Sequence, residues 1–545
     1  MTKDQRLLAL LGAGYFPDEL PPPFVTASFA KFRKAIGAAW SAIPGEYPKT
    51  VPDVFSIPRT GGLRRDLSIV NPIAEFHVAK LIADNWVAIR KHLKSCDFGA
   101  AALNITGGEQ RAVAAPDFRL IALRQAEISA SYDHVLIADV SRFYGTLYTH
   151  AIPWALHSKA WAKLHLNTQP YAASLGARLD KAVRKGNDNQ TIGIPVGPDS
   201  SRIISEIVAV SVDAQLREKL KLSSRCTLRN VDDWYIGFDT AGRSEDAISA
   251  IAAACRTYQL EIHPEKTSSS HTRNMVEAVW PTALRQATFA FTVYGQGRDI
   301  DHFFALAFDF ARNHASQNVL DFAIKRTMAV RVYADNWHRY ETYLLKAIRA
   351  NPTTIPAAVQ IFASYNATGY PLGRGRIGKL IGDLIRRCVP TSSHAEIAWA
   401  LFLAKALRIT LPLSDIAPVT ELESSVCALL ALDLRSRSLV GGRIDTSLWQ
   451  QSMNRAALTS TNWLLAYEAE LKGWLPTPAP SFIDAHAQFS VLKRHDVSFY
   501  DINKNVKHIN ARKPRAMSPA LAQYLSGTKG NVLPAHVAAM SLFGR

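Results

Sequence analysis

The spacing of hydrophobic residues changes near residue 300. Before that point, short apolar runs alternate with helical stretches and turn clusters. The runs at residues 135–140 and 228–231 predict buried strands, a further strand is predicted over residues 235–238, and residues 203–216 have the spacing of a helix. Alternation of this kind is typical of an α/β or α+β domain.

Beyond residue 300 the strand signal fades and helical runs follow one another. Breaks rich in Pro or Ser separate them, and the breaks near Pro352 and Pro390 lie roughly 40 residues apart, close to the period of stacked helix pairs of the HEAT or armadillo kind. The predicted helices cover residues 302–312, 339–350, 355–364, 393–407 and 420–432. We therefore predict an α+β domain over residues 1–300 and an all-α helical repeat domain over residues 301–545.

Positive charge is concentrated in the predicted helical part. The chain of 545 residues has 63 Lys and Arg against 46 Asp and Glu, a formal net charge of +17, and residues 301–545 hold 28 of these basic and 17 of these acidic residues. The excess favours a polyanionic partner such as nucleic acid, and a solvated basic surface explains it equally well. The most notable basic positions are Lys493, Arg494, Lys504, Lys507, Arg512, Lys513 and Arg515.

Composition argues against several classes of protein. The five cysteines form no CxxC pair, which argues against a disulfide scaffold and against a cysteine-rich zinc site. No run of 18 or more apolar residues predicts a membrane-spanning helix, and the N-terminal apolar segment lacks a convincing cleavage site. We predict a cytoplasmic protein that does not bind membranes.

Three acidic residues interrupt the predicted strands. Asp139 ends one apolar run, and Asp232 and Asp233 lie between the β-formers Val231 and Trp234. A carboxylate in an apolar strand is costly unless a metal or a partner compensates it. An Asp-Asp pair is most often a polar hairpin tip, but a second acidic strand end favours a site for two divalent cations about 3.5–4 Å apart, as used in phosphoryl transfer. Mg²⁺ suits a few carboxylates combined with substrate phosphate oxygens.

The residues around these acids form an ordered set of motifs. Residues 138–144 (ADVSRFY), 193–198 (GIPVGP), 230–233 (NVDD) and 262–267 (IHPEKT) resemble reverse-transcriptase motifs A to D, and residues 61–69 (GGLRRDLSI) look like the fingers motif that contacts the nucleotide. More narrowly, residues 14–17 (GYFP) and the helical C-terminal half resemble the bacterial abortive-infection and defence-associated reverse transcriptases. This antiphage family places a polymerase before a helical repeat domain.

The resemblance implies a right-hand polymerase, with fingers and a palm built on a ferredoxin-like antiparallel sheet, over residues 1–300. The helical repeat domain would replace a conventional thumb. Asp139 and Asp232 would ligate two Mg²⁺ ions, with Mn²⁺ as a substitute, and Asp233 would be the third acid. Val140, directly after Asp139, belongs to the same implied metal set.

The resemblance also implies a site for a nucleoside triphosphate. Tyr144 would be an aromatic steric gate that leaves no room for a 2′-hydroxyl, so the substrate would be a dNTP. Arg65 would grip the triphosphate, while Arg64 would either share that role or face solvent. Lys266 would neutralise the leaving pyrophosphate. The loop under the nucleotide would consist of Gly193, Pro195, Val196 and Gly197.

Two positions depart from the family pattern and bear on templating. Many reverse transcriptases carry Gln where Val196 stands and an aromatic residue where Asn230 stands. We therefore expect DNA synthesis from dNTPs that is untemplated or loosely templated, in a system that blocks phage growth. Several family members prime DNA synthesis on their own tyrosine, attach single-stranded DNA covalently and form homo-oligomers such as trimers or hexamers. Tyr47 and Tyr500 are candidates for a priming tyrosine here.

Three alternatives remain open at the level of sequence. One is a templated reverse transcriptase that copies a partner noncoding RNA, as other family members do. The second is an RNA-synthesising enzyme, which Tyr144 disfavours. The third is a binding protein that keeps the polymerase fold without catalysis, against which the intact Asp139, Asp232 and Asp233 argue.

Overall fold

The computed structural model describes residues 1–100, 103–107, 111–114, 116–275 and 278–509. Three of the basic positions noted above, Arg512, Lys513 and Arg515, lie outside these described residues. Across the described part of the chain, no helix is both long and apolar enough to cross a membrane. All five cysteines are free and buried.

The N-terminal region consists of helices around one antiparallel hairpin, which corresponds to the predicted fingers. Its strands pair from Asp53 opposite Ile69 to Pro58 opposite Arg64. The elements are α1 (Lys3–Leu11), α2 (Ala27–Lys31), α3 (Arg33–Ser41), β1 (Asp53–Pro58), β2 (Arg64–Ile69), α4 (Pro72–Asp84), α5 (Trp86–Leu93) and α6 (Phe118–Ser131).

A four-stranded antiparallel sheet follows, with the strand order β4-β5-β3-β6. Its strands and its two packing helices, α12 and α13, alternate as β-α-β-β-α-β, which is the ferredoxin-like order expected of a palm. The elements are β3 (His134–Asp139), α7 (Phe143–Thr146), α8 (Ala151–His157), α9 (Lys159–Leu164), α10 (Gln169–Ala173), α11 (Leu175–Lys185), α12 (Asp199–Leu220), β4 (Thr227–Asn230), β5 (Asp233–Phe238), α13 (Ala241–Thr257) and β6 (Ser268–His271).

The two faces of this sheet pack against different helices. Leu136 and Trp234 belong to the main core with α12 and α13, whereas Val135 and Tyr235 pack with Ile121 of α6 on the opposite face. Because side chains alternate along a strand, Asp139 lies on the same face as Val135. The acidic strand end is therefore on the face that α6 covers further along the sheet.

Residues 278–509 consist of helices and the segments that connect them, with the two-residue strands β7 and β8 as the strands of this described range. Alternate helices pack on one another, as in α16 with α18, α18 with α20, and α20 with α22. The predicted boundary at residue 300 falls inside α15, so the helical part begins earlier than predicted. The elements are α14 (Trp280–Gln286), α15 (Val293–Asn313), α16 (Val319–Thr327), α17 (Ala334–Ala350), α18 (Ile355–Ala367), α19 (Arg374–Cys388), α20 (His394–Leu407), β7 (Leu411–Pro412), α21 (Leu413–Ile416), α22 (Ser425–Ser436), β8 (Val440–Gly441), α23 (Ser447–Gln450), α24 (Trp463–Leu471) and α25 (Phe489–Arg494).

Short 3₁₀ helices connect several of these elements. Their bounds are Thr60–Gly62, Pro264–Lys266, Thr272–Asn274, Pro352–Thr354, Val389–Thr391, Ala417–Glu421 and Ala456–Thr459.

The helical half folds back onto the fingers and shares one hydrophobic core with them. The indole N–H of Trp463 donates to the carbonyl of Ile69 at 3.1 Å. Backbone hydrogen bonds join Val51 N to Thr459 O at 3.0 Å and Val25 N to Phe499 O at 3.0 Å. The last helices therefore brace the hairpin that carries Arg64 and Arg65.

Candidate active site

The acidic residues meet at one end of the palm sheet. Asp139, the last residue of β3, lies opposite Asp233, the first residue of β5. Val231 and Asp232 form the tight turn between β4 and β5, and Val231 adopts φ = 58°. A β-branched residue is strained in this left-handed region. The hairpin turn therefore presents Asp232 at the cost of local backbone strain.

Carboxylate oxygens of Asp139, Asp232 and Asp233 all lie within 4.8 Å of one another. Asp139 is buried, with 4% of its surface exposed, while Asp233 is at the exposed tip. Loss of hydration and the negative charges of Asp232 and Asp139 raise the pKa of Asp233 to about 7. Burial and the charge of Asp139 also raise the pKa of Asp232. Three mutually repelling oxygen donors fit divalent cations, which supply Lewis-acid chemistry to phosphoryl groups.

Among the described residues, Lys266 is the cation that forms an ion pair with this cluster of acids. The ammonium of Lys266 forms an ion pair with Asp139. The 3₁₀ turn that carries Lys266 is tied to β3, because His263 N donates to the carbonyl of Asp139 at 2.7 Å. Val140 N donates to the carbonyl of Asp232 at 3.2 Å, and the buried Val140 side chain is hydrocarbon. If Val140 binds a metal, the ligand atom is therefore its main-chain carbonyl oxygen.

The predicted role of Lys266, which is to neutralise the leaving pyrophosphate, stays a prediction.

Tyr144 lies beside the acids on the short helix α7. Its ring is half-buried, and its hydroxyl accepts a hydrogen bond from Ser205 Oγ of α12 at 3.2 Å. Burial raises the pKa of this hydroxyl, and the charge of Asp232 adds to the rise. The carbonyl of Tyr144 accepts from Ile194 N at 2.9 Å, which joins α7 to the following loop.

The loop of residues 193–197 connects α7 to the fingers. Gly193 N donates to Leu147 O at 2.9 Å, and Val196 O accepts from Ser68 N of β2 at 2.8 Å, directly after Pro195. Gly197 has φ = 136°, and a Cβ there would lie 2.7 Å from Pro17 Cγ. Glycine is therefore required at position 197 by both conformation and space.

The two arginines of the fingers hairpin have different surroundings. Arg64 forms a bidentate ion pair with Glu396 of α20, at 2.8 and 2.9 Å, and also donates to Ser56. Arg64 therefore does not simply face solvent, which corrects that alternative of the sequence interpretation, but joins the fingers to the helical half. A share of Arg64 in triphosphate binding stays a prediction. Arg65 is exposed, and its positive charge acts on Asp232.

Two arginines that the sequence interpretation missed support the site. Arg111 donates to Gly197 O at 2.8 Å and to Asp199 Oδ1 at 2.6 Å, which holds the loop against the start of α12. Arg229, three residues before Asp232, is fully buried between two acids of α12. Arg229 could have been found as Asp139 was, from a charge inside an apolar run. Nothing in the sequence around Arg111 signals its role.

The priming candidates lie in packed surroundings. Tyr500 is buried, with 1% of its surface exposed, and its hydroxyl donates to Asp433 at 2.8 Å. It has no surface from which to receive a nucleotide, so Tyr500 was a wrong candidate. The ring of Tyr47 stacks on His77 with centroids 3.8 Å apart, and burial raises the pKa of its hydroxyl to about 12.

A cavity of about 910 Å³ opens beside the acids, between the sheet and α6. Its lining includes Asp139, Asn230, Asp233, Tyr235 and Lys266. This size accommodates nucleotide-sized ligands. Polar groups from strand ends and apolar groups from α6 line it together.

Comparison with protein families agrees with this geometry. Residues 69–294 match the family described as "Reverse transcriptase (RNA-dependent DNA polymerase)". The matched range includes the three acids, Tyr144, the loop of residues 193–197 and Lys266, whereas Arg64 and Arg65 precede it. Comparison with curated proteins finds no match.

Proposed function

We propose that the protein builds DNA from dNTPs in an antiphage defence system. The premise is that residues 69–294 match the reverse transcriptase family and that the protein is a nucleotidyltransferase. The observation that carries the proposal is the cluster of Asp139, Asp232 and Asp233, with carboxylate oxygens within 4.8 Å of one another beside Tyr144.

The proposed reaction is transfer of a nucleotide to a 3′-hydroxyl or another hydroxyl acceptor. The acceptor oxygen forms a bond to the α-phosphorus, the bond from that phosphorus to the pyrophosphate oxygen breaks, and the acceptor proton leaves to solvent. Two Mg²⁺ ions held by Asp139 and Asp232 would polarise the phosphate and lower the acceptor's pKa. Arg65 would bind the triphosphate bidentately, and Lys266 would neutralise charge on the leaving group.

Selection of deoxynucleotides is assigned to Tyr144. Its ring is held at the edge of the acidic cluster by α7, and Ser205 fixes the hydroxyl. A ring fixed in this way excludes a 2′-hydroxyl by contact rather than by hydrogen bonding. This supports a dNTP substrate over an rNTP substrate.

Templating is proposed to be loose or absent. Val196 replaces a side chain that could hydrogen-bond near the base pair, and Asn230 replaces an aromatic ring beside the primer end. Both residues lie at the site, because Val196 is tied to β2 and Asn230 lines the cavity. An aliphatic side chain reads no base edge.

A second candidate is a templated reverse transcriptase that copies a partner noncoding RNA. The matched family is described as an RNA-dependent DNA polymerase, which favours this candidate. The two are separated by sequencing the DNA made by the purified protein before and after RNase treatment. Products of unordered sequence that survive RNase support the first candidate, and a fixed sequence lost after RNase supports the second.

The defence role, protein priming, homo-oligomerisation as a trimer or hexamer, and a cytoplasmic location rest on the resemblance stated above. The helical half that joins the fingers supports this comparison, because the family places helical repeats after its polymerase.

Phage plating on cells that carry the wild-type protein or the Asp139→Asn variant tests the defence role. Equal protection by both proteins would contradict that role. Intact mass after phosphodiesterase digestion tests priming, and light scattering measures the oligomer.

A further inference from the structure

A buried ion cluster lies directly behind the hairpin that carries Asp232 and Asp233. Arg229 is at its centre, with no exposed side-chain surface, and Asp213 is equally buried. Arg229 Nε donates to Asp213 at 2.7 Å, and both terminal nitrogens donate to Glu206, at 3.0 and 2.6 Å. Charged groups this deeply buried persist only when every donor and acceptor finds a partner.

The cluster reaches the catalytic turn through one hydrogen bond. Arg229 Nη1 donates to the carbonyl of Val231 at 2.8 Å. That carbonyl belongs to the peptide group that joins Val231 to Asp232, so its direction sets the plane from which Asp232 projects. Val231 has φ = 58°, a strained conformation for a β-branched residue. The bond from Arg229 therefore acts at the strained point of the turn.

The remaining contacts fix Arg229 itself. Its backbone N–H donates to Phe98 O at 2.7 Å, and its carbonyl accepts from Ala100 N at 2.7 Å. The second carboxylate oxygen of Asp213 accepts a hydrogen bond from the indole N–H of Trp234 at 2.8 Å. Asp213 therefore bonds to both strands of the hairpin, to Arg229 in β4 and to Trp234 in β5. The guanidinium is rigidly held by α12 on one side and by the strand edge on the other.

We infer that Arg229 is a positioning residue that clamps the Val231–Asp232 peptide and thereby orients Asp232 for metal binding. The inference rests on the proposed metal site, and it assigns to Glu206 and Asp213 the task of holding the clamp. Groups behind metal ligands of this kind set affinity by fixing ligand direction, and their loss costs about 10- to 100-fold in metal affinity or activity.

Substitution of Arg229 by lysine distinguishes a role in orienting the Val231–Asp232 peptide from a role in neutralising buried charge. Arg229→Lys keeps a cation between Glu206 and Asp213 but cannot form the fork that also reaches Val231 O. The matched control is Arg376→Lys in the helical half, where Arg376 bonds Glu341, a fully buried acid, and Thr342. This variant also shortens a guanidinium that bonds a buried acid, at a place without contact to the hairpin. The Arg376 side chain is itself 39% exposed, whereas that of Arg229 is fully buried.

The experiment measures Mn²⁺ binding by electron paramagnetic resonance and folding by thermal unfolding, beside nucleotide incorporation. Arg229→Lys is expected to bind Mn²⁺ about 10- to 100-fold more weakly, whereas Arg376→Lys binds as the wild type does. Adding Val231→Gly removes the strain that the clamp opposes, because glycine adopts φ = 58° freely. The double variant is therefore expected to recover most of the lost affinity.

The outcomes separate the clamp from the site it serves. A wild type that binds no Mn²⁺ overturns both the metal site and the clamp. A wild type that binds, with Arg229→Lys folded and binding equally well, overturns the clamp alone. Weak binding that Val231→Gly does not restore also overturns it, because Arg229 then acts only as a core residue. If Arg229→Lys fails to fold, Glu206→Gln, which loosens the fork on one side, is judged by the same criteria.

Discussion

At the scale of single residues, the site depends on acids that the fold places where they repel one another. Asp139, Asp232 and Asp233 are readable in the sequence, because Asp139 ends one run of β-formers and the other two interrupt a second run. They meet because β3 pairs antiparallel with β5. The environment of Arg64 is not readable, because its partner Glu396 lies 332 residues away in the chain. Distant partners of this kind are decided by packing of whole elements.

Tyr144 provides the first prediction. Tyr144→Ala is expected to raise incorporation of rNTPs relative to dNTPs by at least about tenfold, since removal of the ring opens space for a 2′-hydroxyl. Tyr144→Phe keeps the ring and loses only the hydroxyl that accepts from Ser205, so its preference is expected to stay near wild type. The measurement is competitive incorporation from mixed nucleotides. A Tyr144→Ala enzyme with unchanged preference would contradict the steric role.

At the scale of elements, the start of α12 is where fingers and palm are joined. Asp199 at its first position accepts from Arg111 and from Val113 N, and Ser200 Oγ donates to Glu75 of α4 at 3.0 Å. The sequence predicted this helix over residues 203–216, but it begins at Asp199. The partners of its first residue, which are Arg111, Val113 N and Gly14 O, lie in segments distant in the chain. Hydrophobic periodicity reports the apolar face of a helix, but it carries no information about the residues that contact the ends of the helix.

Glu75 gives an element-scale prediction on pH. Glu75 is buried, and burial raises its pKa to about 8 from a usual value of 4.5. The folded protein therefore holds a proton that the unfolded chain releases above pH 4.5. This contribution to stability is complete below pH 4.5 and is lost, at about 1.4 kcal/mol per pH unit, as the pH rises toward 8.

Glu75→Gln keeps a carbonyl acceptor for Ser200 and does not ionise. The difference in denaturant midpoint between Glu75→Gln and wild type is expected to be larger, in favour of the variant, at pH 8.5 than at pH 5. Taking this difference removes the effect of other titrating groups. Chemical unfolding at both pH values provides the measurement. A difference between the two proteins that does not change with pH would contradict the buried ionisable group.

At the scale of the whole molecule, the helical half and the fingers are one structure. The prediction of a separate domain over residues 301–545 came from a change in sequence pattern, which reports secondary structure and not the sharing of a core. The boundary at residue 300 falls within α15. Long-range contacts such as Trp463 with Ile69 can be seen only in the folded chain. The palm sheet, by contrast, was expected from the resemblance of residues 138–267 to reverse-transcriptase motifs A to D.

Trp463 tests this shared core. The side chain is fully buried, and its ring packs edge-on to Phe499 at 5.3 Å. Trp463→Ala is expected to cost about 3–5 kcal/mol through the cavity that it leaves. Because the core is shared, calorimetry should show one transition that shifts as a whole to lower temperature. Two transitions of which only one shifts would show that the helical half is an independent domain.

The central claim, nucleotidyl transfer at the three acids, is tested most directly with purified protein, Mg²⁺ and labelled dNTPs without added template or primer. The products are separated on a denaturing protein gel, beside Asp232→Ala/Asp233→Ala as the matched control. We predict nuclease-sensitive label that migrates with the wild-type protein, requires Mg²⁺ and disappears in the control. Label of equal intensity in the control would contradict the account, because the chemistry would then not depend on these acids.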